Sequence, residues 1–345
     1  MSNVVIASTR TSAGKTSFIV GLMQALKKDI GYMKPFGDRL LYRKKRLWDY
    51  DSALIANIFG LKEDPENITL AFEHSKVRYM YDKEKTKGKV LEMASNISDD
   101  KDMVVVEGGK DLSYGISVYL DAVSVAEYLE AGLVLVLCGD DDRIIDDITF
   151  VKKYVHMKDI NFKGVVITKV QDVTDFKDTY EDTITDMGIP VLGVIPYKEE
   201  LTYVSIGYLA EFLFAKVLAG ENGLTKLAKN IFVGALSANA AMRNPLFKKK
   251  NKLIITGGDR VDMILAALET DAAGVILTNN VVPPTSTIPK AMEKNIPLLL
   301  VSSDTYQTAK QIDDLEPLLT KDDTEKIKLL KELISKYVDI DSIVE

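Results

Sequence analysis

Residues 8–16, Ser-Thr-Arg-Thr-Ser-Ala-Gly-Lys-Thr, have the composition of a loop that binds phosphate. A β-branched apolar stretch over 4–8 precedes them, and apolar residues at helical spacing follow over 16–27, so the loop joins a strand to a helix. In that setting Lys15 reaches phosphate oxygens and the hydroxyl of Thr16 ligates Mg²⁺. The alternative is an ordinary helix start. The strand before the loop and the helix after it favour the phosphate site.

A magnesium ion beside phosphates also takes carboxylate ligands. Glu107 directly follows the apolar run 103–106, and strand ends face the ligand crevice of an open α/β sheet. Asp51 stands at the start of an expected helix, where an aspartate serves either as a ligand or as a cap. From the residues alone, a cap is the commoner role at that position.

Lys34 is a second cation that the chain order places near the phosphate loop. It belongs to Tyr-Met-Lys-Pro at 32–35, which ends the second expected strand. There its ammonium could neutralise charge on a transferring phosphoryl group. A surface lysine at the end of a strand is an equally good interpretation of the residue alone.

Short apolar strands alternate with helical stretches, which predicts a parallel α/β sheet with flanking helices. The expected strands of the first part cover 4–8, 30–33, 103–106, 133–138, 164–168 and 190–195. The pattern begins again after Pro196 with a helix over 206–218, strands over 231–236, 253–256, 274–277 and 298–302, and a helix over 324–337. We therefore expect two domains, 1–203 and 204–345, with the last helix in the second.

Composition narrows the class of protein. The 345 residues carry a net charge of −7, which argues against general nucleic-acid binding. No apolar run is long enough to cross a bilayer, and the amino terminus lacks the pattern of a signal peptide. A single cysteine excludes an internal disulfide framework. These features predict a cytoplasmic protein without membrane or nucleic-acid partners.

The order of the motifs resembles dethiobiotin synthetase and the related cobyrinic acid diamide synthases, which are ATP-dependent enzymes with a P-loop fold. The phosphate loop Thr-x-Thr-x-x-Gly-Lys-Thr matches 9–16, including threonine at the position of the usual first glycine. Tyr-x-Lys-Pro matches 32–35, the family's aspartate element matches Asp51, and its strand ending in Val-Glu-Gly matches 106–108.

This resemblance implies a site for ATP and Mg²⁺. Lys15 and Lys34 would be the catalytic groups on the phosphates, and Thr16, Asp51 and Glu107 would hold the metal. The other implied nucleotide contacts lie in the loop, in the turn that follows it and at two strand ends: Thr9, Thr11, Ser12, Ala13, Gly14, Ser17, Thr168 and Pro196. Thr168 stands where the family typically has asparagine.

The second part resembles a DRTGG domain. The matching segments are Ile-Thr-Gly-Gly-Asp-Arg-Val-Asp at 255–262 and Gly-Val-Ile-Leu-Thr at 274–278. The usual Thr-Gly-Gly is Thr-Asn-Asn at 278–280, and asparagine tolerates positive φ, so the turn can survive. Asp259 and Arg260 would either bind an anion or an adenine nucleotide, or form an internal ion pair that fixes the turn.

The two domains together resemble the amino-terminal, non-catalytic half of long-form phosphotransacetylase. The resemblance implies a Mg-ATP-binding protein with a regulatory or sensor role, a homodimer or a protein partner, and no acetyltransferase domain of its own. The alternative is an ATP-dependent enzyme of the dethiobiotin synthetase type, which activates a carboxylate by phosphorylation.

Overall fold

The computed structural model describes residues 2–43, 45–154 and 160–345, which fall into two units. The first unit contains the chain up to Lys198 and also Leu319–Glu345. The second unit contains Glu199–Leu318. The chain therefore leaves the first unit, forms the second, and returns to the first.

A six-stranded parallel sheet forms the centre of the first unit, in the order β2-β5-β1-β6-β7-β8. The strands of this sheet are β1 (Ser2–Ser8), β2 (Ile30–Met33), β5 (Met103–Glu107), β6 (Gly132–Cys138), β7 (Asn161–Val170) and β8 (Val191–Pro196). Strands β3 (Leu40–Arg43) and β4 (Arg46–Asp49) form a separate antiparallel hairpin. Strand β1 lies between β5 and β6, so the carboxyl ends of these three strands are neighbours.

The helices of this part of the chain are α1 (Lys15–Ala25), α2 (Tyr50–Phe59), α3 (His74–Met80), α4 (Lys83–Ile97), α5 (Ala122–Tyr128), α6 (Asp141–Tyr154), α7 (Val173–Phe176) and α8 (Asp182–Asp186). Helix α4 is an example of how capping and apolar spacing in the sequence produce these helices. Asp82 accepts a hydrogen bond from the backbone N–H of Lys85 and caps the helix, while Val90, Met93 and Ile97 form its buried stripe. In the described part of the chain, no helix has both the length and the apolar composition that a membrane span requires.

The second unit contains a five-stranded sheet of order β10-β15-β14-β13-β12. Its strands are β10 (Lys216–Ala219), β12 (Asn230–Val233), β13 (Lys252–Gly257), β14 (Ala272–Thr278) and β15 (Leu298–Leu300), while β9 (Val204–Ser205) and β11 (Leu227–Ala228) form a small separate pair. Strands β12 to β15 are parallel, and β10 is antiparallel to β15.

Helices cover both faces of this second sheet. They are α9 (Ile206–Phe212), α10 (Ala238–Arg243), α11 (Pro245–Lys248), α12 (Val261–Leu268), α13 (Thr287–Glu293) and α14 (Thr305–Asp313). Successive strand residues point to opposite faces. Ile254 packs with α10 to α13, whereas Leu253 and Ile255 pack with α9 and α14.

Two sequence-based assignments in this region need correction. The helix expected over 206–218 ends at Phe212, and Lys216–Ala219 is instead an edge strand paired with β15. The last helices, α15 (Thr324–Tyr337) and α16 (Ile340–Val344), belong to the first unit and not to the second.

Helix α15 belongs to the first unit because it packs closely against α1. A Cβ added to Gly21 of α1 would lie 2.6 Å from Ile334 Cγ1 and 2.9 Å from the carbonyl oxygen of Leu330, so the two helices touch at backbone distance. The backbone N–H of Asp339 donates to Leu192 O of β8 at 2.8 Å. The returning segment thus covers both α1 and the edge of the first sheet.

Candidate functional site

The phosphate loop was predicted at 8–16, and in the structure residues 9–14 join the end of β1 to the start of α1. Gly14 precedes the helix with φ +91°, and Ser12 also has a positive φ of +60°. Among the described residues, no side chain caps this end of the eleven-residue helix and no acidic residue stands in its first turn. The positive end of the helix dipole is therefore left for an anion.

Lys15 lies across this loop in a buried position. Its Nζ donates to Ser8 Oγ at 2.8 Å and to the carbonyl oxygen of Lys110 at 3.0 Å. Both acceptors are neutral, and no carboxylate of the described residues lies within ion-pair distance of the ammonium. Burial lowers the pKa of Lys15, and the nearby charge of Glu107 opposes that effect.

Thr16 and Glu107 meet at the ends of the loop and of β5. Thr16 Oγ1 donates to Glu107 Oε1 at 2.7 Å, and the hydroxyl of Tyr32 donates to Glu107 Oε2 at 2.8 Å. Burial, and then the charge of Asp51, raise the pKa of Glu107 to about 7. Adjacent oxygen ligands of octahedral Mg²⁺ lie about 2.9 Å apart, so the Thr16–Glu107 pair has the atoms and the spacing of two such ligands.

Lys34 is enclosed by three aspartates. Its Nζ lies 2.5 Å from Asp38 Oδ1, 2.5 Å from Asp51 Oδ2 and 3.4 Å from Asp49 Oδ1. The side chain is 1% exposed, which rules out the surface lysine that was one interpretation of the sequence. Burial alone would lower the pKa of Lys34, but the carboxylates, Asp51 first, raise it well above its ordinary value. Its partners in this structure are thus carboxylates.

Asp51 is not the helix cap that its position suggested. Asp49 caps α2, because its Oδ1 accepts from the backbone N–H of Ser52 at 3.1 Å. The other oxygen of Asp49 accepts from the backbone N–H groups of Asp38 and Arg39. Asp51 instead bonds Lys34 and lies 3.4 Å from Arg39 Nη1. These bonds lower the pKa of Asp51, although burial opposes them.

The other residues predicted to contact the nucleotide differ in their exposure to solvent. Thr11 is exposed in the loop, and Ser17 is half-buried in the first turn of α1. Thr168 is buried in β7, and its Oγ1 donates to Ala13 O at 2.8 Å and to Leu137 O at 3.2 Å. Pro196 is the last residue of β8 and is half-buried. Thr168 therefore touches the loop backbone directly.

Sequence reasoning missed Asp147, which contacts the loop from α6. Its carboxylate accepts from Thr9 Oγ1 at 2.6 Å, from Arg10 Nε at 2.9 Å and from Arg10 Nη2 at 2.7 Å. The signal was present, because Asp147 shares its helix face with the buried Ile144 and Ile148. A carboxylate on the apolar face of a helix requires a partner.

The segment 255–262, which matches the DRTGG pattern in the second unit, forms hydrogen bonds and an ion pair within that unit. Arg260 bonds Asp262 at 3.1 Å and donates to the carbonyl oxygens of Gly234 and Leu236 at 3.3 and 2.8 Å. Arg260 therefore forms an internal ion pair, but the partner carboxylate is that of Asp262, where Asp259 was expected. Asn279 and Asn280 have φ of +58° and +54°, so the asparagines do adopt the turn conformation expected for them.

A phosphate loop between the first strand and its helix, with a glutamate at the end of the adjacent strand, defines a P-loop α/β protein. Residues 2–205 match the family model of the AAA domain, and because this is more than half of the chain, the chain belongs to that family. Residues 208–315 match the model of the DRTGG domain. The sequence-based recognition of both domains and of the fold class is confirmed.

The relatives include phosphate acetyltransferases. That of Pseudomonas aeruginosa is 24% identical over 373 residues, which cover 99% of this chain and 51% of the relative. This chain is homologous to the amino-terminal half of these enzymes, and it spans about half of their length. The cobyrinate a,c-diamide synthase of Methanocaldococcus jannaschii is 26% identical over 210 residues, covering 58% of this chain and 41% of that enzyme.

Among solved structures, a cobyrinic acid a,c-diamide synthase from Mycobacterium smegmatis with bound ADP and magnesium has a TM-score of 0.37 at 13% identity. The match covers 58% of this chain and 88% of that one.

Proposed function

We propose that the first unit binds Mg-ATP at the loop 9–16. The observation that carries this proposal is the buried ammonium of Lys15, whose acceptors among the described residues, Ser8 Oγ and Lys110 O, are both neutral. It lies beside a helix end whose N–H groups have no side-chain cap among the described residues. A buried cation and an uncapped helix terminus both become more stable when a phosphate anion binds between them.

Mg²⁺ would be held by Thr16 and Glu107, with Asp51 as the third predicted ligand. The first two already touch, and both offer the oxygen atoms that magnesium prefers. Asp51 bonds Lys34 in this structure, so its participation requires that bond to lengthen or to be shared. When bound, the ion would neutralise phosphate charge, while Lys15 orients the phosphate oxygens.

We further propose that the role of the bound nucleotide is regulatory. The DRTGG domain and the homology to half of each phosphate acetyltransferase support this function. The second unit would convey the nucleotide state to a protein partner or to a second copy of the chain. Analytical ultracentrifugation with and without Mg-ATP would test the association, and an unchanged mass in both conditions would count against a homodimer.

Isothermal titration of ATP, with and without Mg²⁺, tests the binding proposal. Lys15→Met removes the ammonium and keeps the apolar stem, so we expect affinity to fall by about 10- to 100-fold, since hydrogen bonds to charged groups contribute about 1.5–3 kcal/mol. Lys27→Met is the matched control, because Lys27 is exposed beyond the end of α1. Equal affinity of the two variants, or no binding to the wild type at millimolar ATP, would contradict the proposal.

The second candidate is an ATP-dependent enzyme that activates a carboxylate, which the similarity to cobyrinate a,c-diamide synthase favours. Against it, the three carboxylates around Lys34 already satisfy the ammonium that would act on the phosphoryl group. Phosphate release decides between the two. Turnover that appears only when a small carboxylate is added supports the enzyme, whereas tight binding without turnover supports the regulatory protein.

A further inference from the structure

Asp147 is a buried carboxylate that accepts hydrogen bonds from two residues of the phosphate loop. The residue is 7% exposed, and its two oxygens accept three hydrogen bonds, one from Thr9 and two from Arg10. The bond to Arg10 is bidentate, the geometry that fixes a guanidinium most firmly. Neither Thr9 nor Arg10 lies near Asp147 in sequence, so the contact joins the loop to a separate helix.

The position of Asp147 is set by the core and not by the loop. Ile144, Ile148 and Val151 of α6 are each at most 2% exposed, and they hold the helix against the sheet. Asp147 lies on this same buried face. Because a helix packed in this way does not shift easily, its carboxylate is a fixed anchor for the loop that follows β1.

The opposite side of the loop is held as well. Lys169 Nζ donates to Ser12 O at 2.7 Å, and Thr168 Oγ1 donates to Ala13 O at 2.8 Å. Ser12 and Lys169 both have positive φ, +60° and +63°, a conformation that is uncommon for residues other than glycine. The loop is therefore anchored at its start by α6 and near its end by β7.

We propose that Asp147 is a positioning residue, which holds Thr9 and Arg10 so that the loop has its phosphate-binding shape before the nucleotide arrives. A second consequence concerns charge. Asp147 neutralises Arg10, whereas the partners of Lys15 in the described part of the chain are neutral. The inference rests on the proposed nucleotide function of this loop. Without Asp147, binding would have to order residues 9–13, and that entropy cost lowers affinity.

The test combines nucleotide titration with hydrogen exchange of the amides in 9–14. We expect Asp147→Ala to weaken Mg-ATP binding by about tenfold, since it removes three hydrogen bonds, two of them between charged groups. The same variant should speed loop exchange in the nucleotide-free protein, and saturating nucleotide should abolish the difference in exchange. Asp146→Ala is the matched control, because Asp146 is the exposed neighbour on the same helix.

Arg10→Ala removes the contact from the other side. The Arg10 side chain is 43% exposed, so this variant keeps the core intact even if Asp147→Ala fails to fold. A specific anchor predicts that the double variant binds no more weakly than the weaker single variant. Additive effects, or an Asp147→Ala protein that matches Asp146→Ala in both affinity and loop exchange, would overturn the inference.

The two proposals fail in different ways. If the wild-type protein does not bind Mg-ATP, the function of the site is wrong, yet exchange of the nucleotide-free loop still reports whether Asp147 orders it. If the wild type binds Mg-ATP and the Asp147 and Arg10 variants bind it with the affinity of the wild type, only the positioning role of Asp147 is wrong.

Discussion

At the scale of single residues, Lys15 and Lys34 have different partners, although the sequence predicted a phosphate contact for both. Lys15 has neutral partners and an uncapped helix end beside it, while Lys34 has three carboxylates around its ammonium. A phosphate gains most from the cation that lacks a counterion. The contacts therefore assign the proposed phosphate role more strongly to Lys15 than to Lys34.

Glu107 provides a residue-scale prediction about the metal. Glu107→Gln keeps the shape of the side chain but removes the charge that would hold Mg²⁺ beside Thr16. We expect ATP affinity measured with Mg²⁺ to fall about tenfold, the usual effect of one lost charged ligand contact, while affinity measured in EDTA stays the same. Titration calorimetry under both conditions measures this difference.

Glu84→Gln is the control for that experiment, since Glu84 is an exposed glutamate in the first turn of α4. A Glu107→Gln protein whose affinity still depends on Mg²⁺ as the wild type does would show that the ion is held elsewhere.

At the scale of elements, packing between α1 and α15 decides which glycines are replaceable. Gly21 faces Ile334 and the backbone of Leu330 at distances too short for a Cβ, whereas nothing lies within 4 Å of the position of a Cβ on Gly88. Both glycines are in helices, so their intrinsic cost to helix formation is the same. Their surroundings alone make them different.

We predict opposite signs for two alanine substitutions. Gly21→Ala should destabilise the protein by about 1–2 kcal/mol, because overpacking costs about 1–3 kcal/mol and exceeds the gain in helix propensity. Gly88→Ala should stabilise it by about 0.5–1 kcal/mol, since only the propensity changes. Urea unfolding measures both, and a stabilising Gly21→Ala would mean that α1 and α15 are further apart in solution.

At the scale of the whole molecule, the chain uses its last segment to complete its first domain. Leu330, Leu333 and Ile334 of α15 are buried in the first unit, although the whole of the second unit precedes them in sequence. The stability of the first unit therefore depends on residues more than 300 positions from the loop. A fragment that ends before Leu319 would leave part of α1 exposed.

Ile334→Ala tests this dependence. The side chain is 1% exposed, so we expect a loss of about 2–5 kcal/mol, the range for removing a large buried aliphatic group. Hydrogen exchange should rise in β1 and α1 and stay the same in β13 and β14 of the second unit. Lys331→Ala, at an exposed position of the same helix, is the control. Faster exchange in β13 and β14 instead would place α15 with the second unit.

The sequence by itself determined the local features of this protein. The phosphate loop, the alternation of strands and helices and the two family signatures are written in neighbouring residues, because turn chemistry and periodicity act over a few positions. Helix α15 has the bounds that periodicity predicts. The positive φ at Asn279 and Asn280 was also foreseeable, since it depends on residue type.

Only the tertiary structure decided which distant groups meet. Contacts between residues far apart in sequence pair Asp147 with Arg10, form the edge strand β10 where a helix was expected, and place α15 in the first unit. Competition between near neighbours makes Asp49, and not Asp51, the cap of α2. Apolar periodicity shows that a face is buried but does not identify what buries it, because hydrophobic burial has no direction of its own.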